Sequence, residues 1–143
     1  MKPDVVSITE SWENESISDA ELDIAGYDMF RKDIPTTNKG GGVLLYIRNV
    51  LNPSEFHPRS NFPDQVWYKL TAVDRSDVLI GVCYRSNNEE IFGKGCNNDE
   101  IKQLMMELRG RRFVMMADIN YPGINWPSFH SPVMLCYVRS AVY

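Results

Sequence analysis

The chain has 143 residues, 43% of them hydrophobic and 24% charged, with a formal net charge of -4. That length suits one domain with enough apolar material for a core, so intrinsic disorder is not expected. The negative balance excludes a grip on polyanions through bulk charge and leaves any nucleic-acid contact to a local basic patch.

Cys83, Cys96 and Cys136 include no CxxC pair, and an odd count suits reduced structural thiols of an intracellular protein better than a disulfide framework. His57 and His130 are too scattered for a zinc site. The apolar runs "VLLYI" and "VLIGVC" fall far short of the roughly 20 residues that span a bilayer, so no membrane partner is expected. "MKPDVVSITE" has no secretory apolar region and runs directly into a strand, which points to a natural start further upstream.

In chain order, "DVVSIT" (Asp4 to Thr9) is a β-branched run ending at Glu10. "SISDAELD" suits a short helix with Ser18 as cap. "GYDMFRKD" leads into "KGGGVLLYIRN", where Val43, Leu44, Leu45 and Ile47 suit a strand and the glycines free its approach. "NPSEFHPRSNFPDQ" reads as a loop. "VWYKLTAV" alternates, with Val66, Tyr68, Leu70 and Ala72 on one face and Trp67, Lys69 and Thr71 on the other, which predicts a half-buried strand. "VLIGVCY" is apolar throughout, as a fully buried strand is.

"NNDEIKQLMMELRG" predicts a helix. Asn97 or Asn98 caps it, Ile101, Leu104, Met105 and Leu108 form its apolar stripe, Arg109 lies in its last turn and Gly110 ends it. "RFVMMAD" predicts another buried strand. Met105, Met106, Met115 and Met116 read as core filler. Mostly strands with one helix feeding a central strand is an α/β or α+β pattern with a layered sheet core.

Three buried-type strands end in polar residues: Glu10, then Tyr84 and Arg85, then Asp118 with Asn120 just past it. Ligands in layered sheets sit at such strand ends, where loops hold polar groups over a rigid base. Two carboxylates there make an oxygen-only site for a hard cation such as Mg2+. Alternatively, Asp118 acts as a base on water, while the Asn120 amide and the Tyr84 hydroxyl donate to a phosphate oxygen. Against this, Asp and Asn are common turn formers after strands, and Glu10 suits a solvated strand end. "KGGG" is no phosphate loop, because a strand rather than a helix follows it. "RGRR" (Arg109 to Arg112) suits a helix carboxyl end better than a nucleic-acid patch.

Taken together, "KPDVVSITESW", "GYDMFRKDIPTTNKGGGVLLYIRN", "QVWYKL", "IGVCYRSNN" and "FVMMADINYPGINW" stand in the order found in one family. Through them the chain resembles the endonuclease/exonuclease/phosphatase superfamily, and most closely the endonuclease domains of LINE-type (non-LTR) retrotransposons. The matching stretches run from about Lys2 to Trp126. The resemblance implies a DNase I-like four-layer α/β sandwich, with two packed mixed sheets inside and helices outside. It implies Mg2+- or Mn2+-dependent hydrolysis of a phosphodiester, typically as the nicking of DNA. It also implies a nuclear location and a reverse transcriptase domain in a longer parent chain. By position, Glu10 matches the metal-binding glutamate and Tyr84 the tyrosine on the scissile phosphate. Asp118 matches the aspartate that orients or deprotonates the attacking water, and Asn120 the asparagine that supports phosphate and nucleophile. Arg31 of the R-x-D stretch and Arg85 beside Tyr84 join Asn120 as implied substrate contacts.

The sequence also departs from that family. The family's upstream asparagine strand and its closing serine-aspartate-histidine motif have no counterpart, and His130 does not replace the latter. Ala117 stands where a glycine usually precedes the aspartate. Residues 1–131 are therefore expected to form a partial domain truncated at both ends, with 132–143 ("PVMLCYVRSAVY") an unassigned tail. Groups that act as a unit lose most of their catalysis together. Little or no nicking is expected of this chain alone, and the alternative is an inactive remnant with at most weak DNA or metal binding.

Overall fold

The computed structural model describes residues 2–35, 40–85 and 96–119. Among them, seven strands and two α-helices follow in the order β1 (Val5–Thr9), α1 (Asp19–Leu22), β2 (Tyr27–Lys32), β3 (Val43–Arg48), β4 (Ser54–Glu55), β5 (Gln65–Thr71), β6 (Asp77–Arg85), α2 (Cys96–Leu108) and β7 (Arg112–Ile119), with a 3-10 turn (Asn49–Leu51) after β3. The fold is mixed α/β, mostly strands, in two sheets. The first sheet has the order β1-β3-β2 and the second β4-β5-β6-β7. The first is antiparallel throughout. The second is mixed, because β7 returns parallel to β6 after α2. Of the two mixed sheets expected, only one is mixed among the described residues.

The two sheets pack face to face. Val43, Leu45 and Ile47 of β3 meet Ile80, Val82 and Tyr84 of β6, with Val66, Tyr68, Leu70, Val114 and Met116 around them. Phe30 of β2 stacks on Tyr68 of β5, with ring centroids 3.5 Å apart. Alternation along each strand sends the odd-numbered residues of β3 and the even-numbered residues of β6 into this layer. The other face of the second sheet lies under α2, where Ile101, Leu104 and Leu108 cover Trp67, Leu79, Cys83, Phe113, Met115 and Ala117. Beyond the first sheet, the Tyr46 hydroxyl donates to the Leu22 carbonyl at the end of α1.

Local expectations fare unevenly. The apolar stripe of α2 is as expected, and Cys83 is fully buried and in no disulfide. The helix already runs at Cys96, so Asn97 and Asn98 lie in its first turn and not at its cap. It ends at Leu108, which leaves Arg109 just beyond the last turn. Arg112 instead opens β7 and pairs with Asp74 at 2.9 Å. Met106 is 76% exposed and fills no core. At α1, Glu21 accepts the Ser18 N–H at 3.1 Å and the Ser18 hydroxyl at 2.8 Å, so the Ser18 start is realised.

β5 is half-buried as expected, but Trp67, placed on the face of Lys69 and Thr71, is fully covered. Trp67 is buried on the α2 side, and its indole N–H donates to Gln65 Oε1. The ring fits because its cross-strand partner is Gly81. A Cβ at Gly81 would sit 2.3 Å from the Trp67 ring. Gly81→Ala is therefore expected to destabilise the protein by about 2–3 kcal/mol through overpacking, read from urea unfolding. Unchanged stability would show that the Trp67 ring can move aside.

Candidate functional site

The carboxyl ends of β6 and β7 lie side by side, with Tyr84 opposite Asp118 in the parallel register. Both side chains leave the sheet on the face toward the first sheet. The parity is set by their neighbours: Val82 and Met116 pack between the sheets, whereas Cys83, Ala117 and Ile119 pack under α2. Strong apolar patterns on both strands thus aim two polar side chains at one spot.

Glu10 arrives from the other sheet. Strand alternation would put it on the outer face with Ile8, but the chain turns out of β1 at Glu10 itself, where φ is 51°. The Tyr84 hydroxyl donates to Glu10 Oε1 at 2.5 Å, across 74 residues of sequence. Asp118 is held above the usual aspartate range, first by burial and second by the negative charge of Glu10. Its Oδ1 is buried with no hydrogen-bond partner among the described residues. Two carboxylates and a tyrosine hydroxyl therefore meet at the ends of three strands.

The turn after β1 is clasped by the glycines before β3. Ser11 N–H donates to the Gly42 carbonyl at 3.3 Å and Trp12 N–H to the Gly41 carbonyl at 3.1 Å. Gly41 and Gly42 have φ of 111° and 80°, and a Cβ on Gly42 would lie 2.7 Å from Ser11 Oγ. The "GGG" stretch thus serves close approach to the loop that carries Glu10.

Arg31 is held elsewhere. All five of its N–H donors are committed within the chain: to both Asp33 oxygens at 2.6 Å, to Asp19, and to the carbonyls of Asn14 and Ile17. The hydrogen bonds to Asp33 are the main reason its guanidinium is held even more firmly protonated than usual. It braces the loop before α1 and has no donor left for a phosphate. Arg85 follows Tyr84 on β6, so alternation points it to the α2 side, opposite Tyr84 and Asp118. Asn120 lies outside the described residues.

Sequence reading passed over Asp64. Its carbonyl accepts the Tyr84 N–H at 2.9 Å, and burial raises its carboxyl above the usual range while Lys32 opposes the rise. In "NFPDQ" it looks like any turn residue, and no local pattern marks it. A groove of about 510 Å³, lined by Phe30, His57, Phe62 and Tyr68 among others, holds none of Glu10, Tyr84 and Asp118. Convergent polar chemistry defines the site better than concavity does here. No model of a known protein family matches the sequence, and no curated protein matches it.

The raised Asp118 has a sign that can be tested. The folded state holds its proton more readily than the unfolded chain, so this contribution is full below the usual aspartate range and is lost as pH rises through the raised value. Asp118→Asn removes the ionisation. The variant is expected to be more stable than the parent at neutral pH, read as a higher Tm. That advantage should vanish on acidification below the usual aspartate range. A variant less stable than the parent at neutral pH would contradict this account.

Proposed function

We propose that this protein carries the metal- and water-handling part of a Mg2+-dependent phosphodiesterase site of the endonuclease type, acting on the DNA backbone within a DNase I-like sandwich. The observation that carries this reading is the buried, unpartnered Oδ1 of Asp118 beside the Glu10 carboxylate. Burial and the Glu10 charge both work against the charged form of Asp118, a cation there would offset them, and oxygen-only donors suit a hard divalent ion. Among the described residues no group of three or more His, Cys, Asp or Glu side chains gathers as a metal cluster. Mg2+ is commonly held by one or two carboxylates, with waters and substrate phosphate completing its shell, so the pair fits the ion in kind.

In this reading Glu10 holds Mg2+ or Mn2+, which when bound offsets charge on the phosphoryl oxygens. Asp118 accepts a proton from water at Oδ1, and its burial, the main cause of its raised pKa, makes it a better base than an ordinary aspartate. The Tyr84 hydroxyl turns from Glu10 to donate to a phosphate oxygen as Glu10 becomes engaged. By resemblance, the Asn120 amide supports the same phosphate.

Two measurements test the reading. Millimolar Mg2+ is expected to raise Tm by about 2–4 °C through preferential binding to the folded state, and Glu10→Gln to remove most of that shift. Supercoiled plasmid is expected to be nicked at most slowly in Mg2+ and not in EDTA, and Asp118→Ala is expected to abolish whatever nicking the parent shows. Metal binding without nicking would leave the second reading, a remnant that binds but does not turn over. Absence of both would overturn the proposal.

A further inference from the structure

Two residues past Glu10, Trp12 is 58% exposed. An exposed tryptophan forgoes one of the largest apolar burials a side chain can make. Its backbone is also strained. Trp12 has φ of 59° and Glu10 of 51°, so two bulky residues in the left-handed region flank Ser11. The described chain has only two other non-glycine residues at positive φ, Asn52 and Arg75. They close short turns, where such backbone is ordinary. At Trp12 the conformation is locked by the N–H bond to Gly41, and the indole passes Gly40 near enough that a Cβ there would lie 3.9 Å from it. One turn therefore carries both the Glu10 carboxylate, which meets Tyr84, and, two residues on, an exposed indole that passes Gly40. Strain that is maintained without burial in return marks functional positions.

We propose that Trp12 is a stacking platform for an unpaired base next to the scissile phosphate. The favoured substrate class is then a phosphodiester in single-stranded DNA, or in a duplex with an unstacked base at the cleavage position. The inference rests on the phosphodiesterase reading and adds a substrate preference to it. Every base offers a π face to an indole, so the preference is for unpaired bases and not for a particular sequence. The negative net charge of the chain fits this division of labour. With little bulk attraction for phosphates, a stacked ring supplies grip that does not depend on charge.

The test uses the full chain with Ca2+ in place of Mg2+, and compares a labelled oligothymidylate with an abasic strand of equal length by fluorescence anisotropy. The protein is expected to bind the base-bearing strand about tenfold more tightly, the size expected for one stacked base. Trp12→Ala should abolish that preference while leaving the affinity for the abasic strand unchanged. In a Trp126→Phe background, which removes the third indole, Trp12→Phe should keep most of the preference but lose the tryptophan quenching that oligothymidylate causes, since Trp67 is buried. A Trp12→Ala protein that still prefers the base-bearing strand overturns the platform. Mg2+-dependent nicking with no preference in the parent protein overturns the platform and spares the phosphodiesterase reading. Failure to bind either strand, together with no nicking, overturns both.

Discussion

The layer in which Val43, Leu45 and Ile47 meet Ile80, Val82 and Tyr84 sets the spacing and rotation of the two sheets. Packed sheets lie about 10 Å apart, and side chains from both must fill that gap. The end of β1 is tied to β3 in antiparallel register, and the ends of β6 and β7 are tied to each other. Once the layer is packed, Glu10 has one place to go. Tyr84 belongs to both systems: its ring closes the layer and its hydroxyl meets Glu10.

That arrangement brings the exposed Glu10 carboxylate up to the partly buried Asp118, whose charged form is disfavoured by its own burial and by the neighbouring charge. The Tyr84 hydroxyl satisfies one oxygen of Glu10, while Asp118 keeps an oxygen with nothing to accept from among the described residues. Proteins tolerate such defects where the strained or charged group serves a purpose, and the surrounding core must supply the compensation. Here the compensation is close by. β6 is buried almost throughout, Ala117 and Ile119 anchor β7 under α2, and the Gly41–Gly42 carbonyls hold the loop that follows Glu10. A rigid apolar base under a polar rim allows the carboxylates to remain close when relaxation would separate them.

Much of the framework was legible because it rests on local periodicity. The β-branched run at Val5–Thr9, the apolar run at Val43–Ile47, and the stripe Ile101, Leu104 and Leu108 each carry their element type within a few residues. The polar strand ends Glu10, Tyr84 and Asp118 stood out for the same reason, as breaks in apolar patterns. β2 was not legible as a strand: "YDMFRK" carries three charges, and it pairs because β3 offers an open edge. The cover over Trp67 was not legible either, since it comes from α2 more than thirty residues away. Arg31 looked available for substrate because sequence cannot show that five acceptors converge on it.

By itself the sequence determined the element types, the buried faces and the set of polar residues at strand ends, because hydrophobic period and chain stiffness act over a few residues. The tertiary structure decided which of those ends meet. Glu10 joins Tyr84 and Asp118 because two sheets pack and one turn adopts positive φ. Arg31 and Arg85 stay apart from them because a salt-bridged loop holds the first and strand parity turns the second away. The exposure of Trp12 was decided in the same way. Burial, charge proximity and unmet hydrogen bonds are properties of neighbours in space, and distant stretches of chain supply those neighbours only after the layers have packed.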